Sequence, residues 1–307
     1  YARDEKLSND YRPTTEERDW TLADYVRANM GVKVRNAVER GDATVPQFVS
    51  ASIIDAVRAK SRVIQAGTIT IPIDGPTNIC QIVSDPTVYQ HTEGAVDISE
   101  SQPVFEPVSL DPKALVALIP LTMEIVMDSP NLEAALNMSI AAAFAQKLDS
   151  LCLTKILADT NIPTSASDEP TDTWGYNLGE ADPQAGVLSA VQSMLAANQD
   201  LPKANICNAS DFIARHSQIV SSGPWVGMPP VLDGMADLQT TAVSAGTAIL
   251  GDFERGFAIA SRVDNVRLEM VRWSKATSAT HVLVAWMRAE GYVTQPDVLY
   301  VQQAAVA

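Results

Sequence analysis

From Val63 to Pro112 this 307-residue chain has neither lysine nor arginine, while Asp74, Asp85, Glu93, Asp97, Glu100, Glu106 and Asp111 place seven acids there. Charges of one sign repel, so such a stretch lies flat only against cations supplied from elsewhere. Over the whole chain 22 basic residues face 37 acidic ones, a formal charge of -15. Affinity for nucleic acid comes mainly from Lys and Arg displacing counterions, which argues against a tight DNA-binding surface. The basic residues are also unevenly placed, because residues 1–62 hold 11 of the 22 beside 10 acids.

Histidine and cysteine are scarce as well. His91, His216 and His281 stand in unrelated contexts, and none has a convincing partner in the sequence for a catalytic base. His91 sits in the acidic stretch, His281 enters a strand, and His216 ends a short helix, where the dipole favours a cation. Cys80, Cys152 and Cys207 are odd in number and widely spaced without a C-x-x-C, so neither a disulfide framework nor a zinc site is expected. G-x-S-x-G, P-loop and H-E-x-x-H motifs are missing. No catalytic, metal or cofactor-binding residue is expected, and no cofactor. The longest apolar stretch, Ala114–Val126, is broken by Pro120, Thr122 and Glu124 and is too short to span a bilayer. It reads as a buried strand pair. No secretory signal is visible, and a first residue Tyr1 in place of Met reads as processing.

What is present has a definite order. Residues 1–45 are polar and charged, with one weakly amphipathic stretch at Leu22–Met30, and read as an extended arm. Such an arm cannot bury enough of itself to fold alone, so other surfaces must order it, partner chains foremost. After Pro46, the apolar residues Phe48, Ile53, Ile54, Val57 and Val63 predict a short helix running into a strand near Thr68–Ile73. Pro72, Pro76, Pro86, Pro103, Pro107 and Pro112 exclude long helices from the acidic stretch, while Ile79, Ile82, Val83, Val88, Val96, Ile98, Val104 and Phe105 supply strand formers. A two-stranded excursion results, and because an isolated hairpin is marginal in water it needs a neighbour to rest on.

Ser129 and Pro130 suit the cap and first turn of a helix, and Leu132, Leu136, Ile140, Phe144, Leu148, Cys152 and Ile156 then recur every four residues. One helix of about 40 Å follows, with Cys152 a small core residue on its packing stripe. Residues 160–182 read as a polar loop, and Gln184–Asn198 as a second helix. Beyond it, strands are expected at Ala204–Cys207, Ala248–Leu250, Phe257–Ala260 and Leu299–Gln303, and a short helix at Ser210–His216. Val266–Trp273 and His281–Ala289 read as antiparallel partners. In Gly251–Gly256 the acids Asp252 and Glu254 could suggest a metal or acid–base site, but glycines at both ends of a short polar segment mark a tight connection.

Five segments, in order, resemble the major capsid proteins of tailed bacteriophages with the Hong Kong 97 (HK97) type fold. Val45–Pro46 with Ile53–Ile54 and Ser61 looks like the start of that family's peripheral domain, and Pro120–Ser129 is similar to its passage from strand to spine helix. Gly227–Val231 and Ile249–Phe253 are similar to its "G-x-P-V" and "GDF" elements, the first with one extra proline, and Arg288–Val293 to its closing strand.

The resemblance implies an α+β HK97-like fold with a peripheral domain carrying the spine helix, an axial domain, an extended loop and an N-terminal arm. On this chain these become an arm at 1–45, peripheral domain at 46–74, 113–160 and 261–287, extended loop at 75–112, axial domain at 161–260, and a C-terminal strand at 288–307 returning to the axial domain. It also implies the mature form, cleaved before Tyr1. Expected partners are further copies in pentamers and hexamers, enclosed double-stranded DNA without tight sequence-specific binding, and portal, scaffold or protease and decoration proteins, with no membrane. The expected location is the virion capsid, assembled in the host bacterial cytoplasm. The family's type member joins subunits through a lysine of the extended loop; this loop has none, so that link does not carry over. Expected inter-subunit contacts are Val88, Glu93, Asp97, Glu100, Val104 and Phe105 on the loop, against Arg267, Arg272 and Lys275. The rival readings are an encapsulin-like shell around protein cargo, disfavoured by the long polar arm, and an α+β hydrolase using His216 or His281.

Overall fold

The computed structural model describes residues 53, 56–84, 86–89, 102–128, 132–165, 171–177, 180–181, 186–219, 227–262, 267–275 and 280–304. The arm, His91, Glu93, Asp97 and Glu100 lie outside them. The chain divides into two compact units. One draws on Tyr1–Val57, Val116–Ala143 and Asp264–Met287, the other on Arg58–Leu115, Phe144–Val263 and Arg288–Ala307.

The larger unit opens with α1 (Arg62–Gln65), capped by the Ser61 hydroxyl, which accepts the Ile64 N–H at 3.3 Å. β1 (Ile69–Ile73) then pairs in parallel with β10 (Phe257–Arg262), whose other edge runs antiparallel to the last residues of β12 (Thr280–Val293). β2 (Thr77–Ser84) and β3 (Val104–Leu110) form an antiparallel hairpin within the acidic stretch. A second sheet has the order β13-β9-β7-β8, built from β7 (Ala204–Asn208), β8 (Ala236–Thr240), β9 (Thr247–Gly251) and β13 (Leu299–Gln303). All five residues of β9 are buried, which is why Ala248–Leu250 is a continuous apolar run. On the face of Cys207, Ala248, Leu250 and Tyr300 sits α4 (Gly186–Ala196), closing a core with Trp174, Val187, Val191 and Met194.

α3 (Leu132–Ala158) contributes to both units. All seven stripe residues are 5% exposed or less. A four-residue spacing advances about 40° per step at 3.6 residues per turn, so the stripe winds around the helix. Ala141, Ala145 and Leu153 accordingly join it as buried neighbours. At the helix's later turns Gly291 of β12 allows a close approach, since a Cβ there would strike the Phe257 ring and lie 3.0 Å from Cys152 Sγ.

In the smaller unit β11 (Arg267–Lys275) pairs antiparallel with the first part of β12, Leu268 opposite Ala285 and Met270 opposite Leu283. Ala114–Val126 is not a strand pair. It is one strand, β4 (Lys113–Thr122), followed by α2 (Met123–Asp128), which begins where the Thr122 hydroxyl accepts the Ile125 N–H at 3.3 Å. Period-two alternation explains the difference: Leu115 and Leu121 are buried while Val116 and Leu118 are 54% and 66% exposed.

One further expectation changes, and one holds. β9 and β10 belong to different sheets, and the tight connection between them is a helical turn, α6 (Phe253–Gly256). Asp252 caps it, accepting the Glu254 N–H at 3.1 Å, and binds Lys203 at 2.7 Å, so the acidic pair is part of a connection. Gly251, at φ 146, has no room for a Cβ against the Val298 carbonyl. The polar loop at 160–182 holds the fully buried Trp174 and a two-residue ladder, β5 (Tyr176–Asn177) with β6 (Glu180–Ala181). Among the described residues no helix is long and apolar enough to cross a membrane.

Candidate assembly surface

The β2–β3 hairpin has a fixed base. Leu110, 1% exposed, plugs a small core of Ile73, Ala258, Ala260 and Tyr292, with Ile71, Ile79 and Val108 packed against it. The next residue, Asp111, donates its backbone N–H to Glu290 Oε2 at 2.6 Å, and Glu290 Oε1 pairs with Lys155 Nζ at 3.0 Å. Gln81 donates to Asp159 at 3.2 Å and Asn161 to Glu106 at 3.3 Å, so both strands are tied to the end of α3.

Beyond the Gln81–Glu106 rung the character changes. Ile82 faces Phe105 and Ser84 faces Val104, with a register shift between them that leaves one extra residue on β2. Phe105 is 55% exposed, Val104 49% and Val88 91%. Successive strand residues point to opposite faces, so Val104 and Phe105 present apolar surface on both sides of a single-layer ribbon. Of the expected contact residues Val104 and Phe105 adjoin on β3, while Val88 lies beyond the end of β2. Arg267, Arg272 and Lys275 all lie on β11, Arg267 opposite Trp286 and Lys275 opposite Thr280. Glu290, Lys155, Gln81 and Asp159 were not foreseen; a charged residue in a strand or a last helical turn reads only as solvent-facing.

One expectation about the histidines fails. His216 does have a carboxylate partner: its Nε2 lies 3.1 Å from Asp237 Oδ2. It ends α5 (Ala209–His216), capped by Asn208, with its ring 4.4 Å from Phe212 and edge-on to Trp174 at 5.5 Å. Asp237 serves mainly another residue. Arg215, fully buried, donates Nη2 to Asp237 at 2.9 Å and to Cys207 Sγ at 2.9 Å, donates Nη1 to the Thr171 carbonyl at 2.6 Å, and stacks over Trp174 at 4.9 Å. Burial pushes the Cys207 thiol up to about 11 against the pull of Arg215, so it is not a ready nucleophile. Arg215–Asp237 is thus a buried structural ion pair with the partly exposed His216 at its edge, and no activated nucleophile lies beside it among the described residues. Asp237 is 21 residues from His216, which is why sequence proximity did not reveal it. His281 Nδ1 is buried without a hydrogen-bond partner among the described residues.

The sequence profile of the phage capsid family matches residues 41–206. No curated protein matches the chain. Among solved structures, the capsid of a native GTA particle is similar at TM-score 0.57 and 15% identity, over 88% of this chain and 96% of that one. A chain from Mycobacterium phage Adephagia gives 0.58 and 15%, over 88% and 96%. The virus-like particle from Pyrococcus furiosus gives 0.55 and 12%, over 82% and 96%. The encapsulin-like alternative is not better supported than the phage capsid. With a family profile spanning more than half its length and an α+β architecture like that of capsid shells, the chain belongs to the phage capsid family, as a structural capsid subunit of the HK97 type.

Proposed function

We propose that copies of this subunit close into pentamers and hexamers of an icosahedral shell around double-stranded DNA, and that each hairpin lies on a neighbouring copy. The observation that carries this is the hairpin itself, anchored at its base while Val88, Val104 and Phe105 stay exposed. Heterologous contacts of this kind close rings about local axes. The stretch from Val63 to Pro112 has seven acids and neither lysine nor arginine, so its resting surface should carry cations. We assign that surface to Arg267, Arg272 and Lys275 on β11 of the neighbour, with Glu93, Asp97 and Glu100 as their partners. In this reading 46–74, 113–160 and 261–287 make the peripheral domain, 161–260 the axial domain, and 288–307 its returning strand. The subunit's role is geometric rather than catalytic. Assembly takes place in the host cytoplasm, with portal, scaffold or protease and decoration proteins as further partners.

Negative-stain electron microscopy and nuclease protection test the shell: uniform particles holding protected DNA are expected, while protein-filled particles or a persistent monomer overturn it. The docking surface is tested by Arg272→Glu with Lys275→Glu against Arg12→Glu with Arg18→Glu. Each exposed pair contributes only about 0.2 to 1 kcal/mol, but every subunit repeats it. The first double variant should lose shells and salt sensitivity. If it assembles like the parent and keeps its salt response, β11 is not the partner.

A further inference from the structure

We propose that Glu290 is a positioning residue for assembly, a clamp that fixes the direction in which the β2–β3 hairpin leaves the body. Three observations converge on it. First, the hairpin meets the body through apolar contacts, Leu110 with Ile79 and Val108 beside it, which resist withdrawal but, being non-directional, do not fix an angle. Direction comes from hydrogen bonds, and the one at the exit of β3 is the Asp111 N–H to Glu290. Second, the Glu290 side chain is only 10% exposed, so its charge needs compensation, which Lys155 on the last turn of α3 supplies. Glu290 therefore joins three elements at one carboxylate: β3, β12 and the end of α3. Third, Gln81 to Asp159 and Asn161 to Glu106 tie both strands to the end of α3, and the register irregularity between Ile82 and Ser84 follows at once.

The hairpin thus has two mechanical parts. Its base, up to the Gln81–Glu106 rung, belongs to the body, and its outer part starts at the bulge with Val104 and Phe105 exposed. A lever aimed by its base has to leave the body at a set angle for the exposed residues to arrive on a neighbour. Losing the clamp leaves the hairpin unaimed and its strand pairs freer to open. Docking of the hairpin is the reading proposed above, and this inference rests on it.

The test uses the full chain, unassembled, with hydrogen exchange followed at the amides paired between β2 and β3 and at those paired between β7 and β9. Glu290→Ala should accelerate exchange in the hairpin by about tenfold, leave β7–β9 unchanged, and lower shell yield. Glu290→Gln, which keeps an acceptor for Asp111 and loses the charge pairing with Lys155, should restore most of the protection. Lys155→Met should fall between the two. Unchanged hairpin exchange in Glu290→Ala, or equal acceleration of β7–β9, overturns the clamp. Faster hairpin exchange with a parental shell yield leaves the clamp standing and overturns the docking of the hairpin.

Discussion

Asp149 is 4% exposed in the middle of α3, and it accepts the Ser61 hydroxyl at 2.5 Å, the Arg62 N–H at 2.9 Å and the Val63 N–H at 3.3 Å. It caps α1 from a distant part of the chain. Burial pushes its carboxyl above the usual value, against the pull of those three donors. The folded chain then binds this proton more tightly than the unfolded one, so its contribution to stability falls as pH rises from the unfolded value through the raised one. Asp149→Asn has no such titration but turns an amide N–H toward one of the backbone donors, at a cost of about 1 to 3 kcal/mol. Chemical denaturation from about pH 4 to about pH 7 should show the variant less stable throughout, with the gap narrowing as pH rises. A gap that stays constant or widens contradicts this account of Asp149. Neither Asp149 nor Arg215 was legible beforehand, because a charged helical residue is exposed by default and only the folded chain reveals its distant partners.

The elements were more legible than their surroundings. α3 could be read because seven apolar residues at one spacing have no other simple explanation, and β9, β13 and the β11–β12 pair announce themselves by apolar runs between turns. β4 was misread for the same reason, since apolar residues on both faces of a strand look buried even when one face is left open. The hairpin could be placed but not its anchoring, which depends on residues far along the chain. Its exposed ring gives an element-scale prediction. Phe105→Ser removes apolar surface that is already 55% exposed, so folding stability should change little. If the ring is buried on a neighbour, its loss removes about 1.5 to 3 kcal/mol per contact, and the concentration threshold for assembly rises at least about tenfold. Light scattering against concentration measures this. An unmoved threshold would mean that Phe105 faces solvent in the shell.

At the scale of the whole molecule, the charge pattern decides how copies hold together. With no lysine from Val63 to Pro112, the hairpin cannot supply the amine of an amide link between subunits. Shells boiled in detergent should therefore run as single chains of 33.0 kDa on a denaturing gel. A ladder of multimers would reveal a covalent link from another residue. Contacts made by charge should also weaken toward about 1 M salt, where screening reaches about 3 Å.

The sequence alone determined the acidic hairpin, the long helix, several of the strands and the resemblance to a capsid family, because periodicity, proline placement and local charge are properties of neighbouring residues. Only the tertiary structure decided that Glu290 holds the hairpin's base, that Asp149 caps α1, and that Asp237 belongs to Arg215 as well as His216. Those pairings join residues 21 to 179 positions apart, and a carboxylate's partner at such separations is set by how the chain packs, not by what stands beside it.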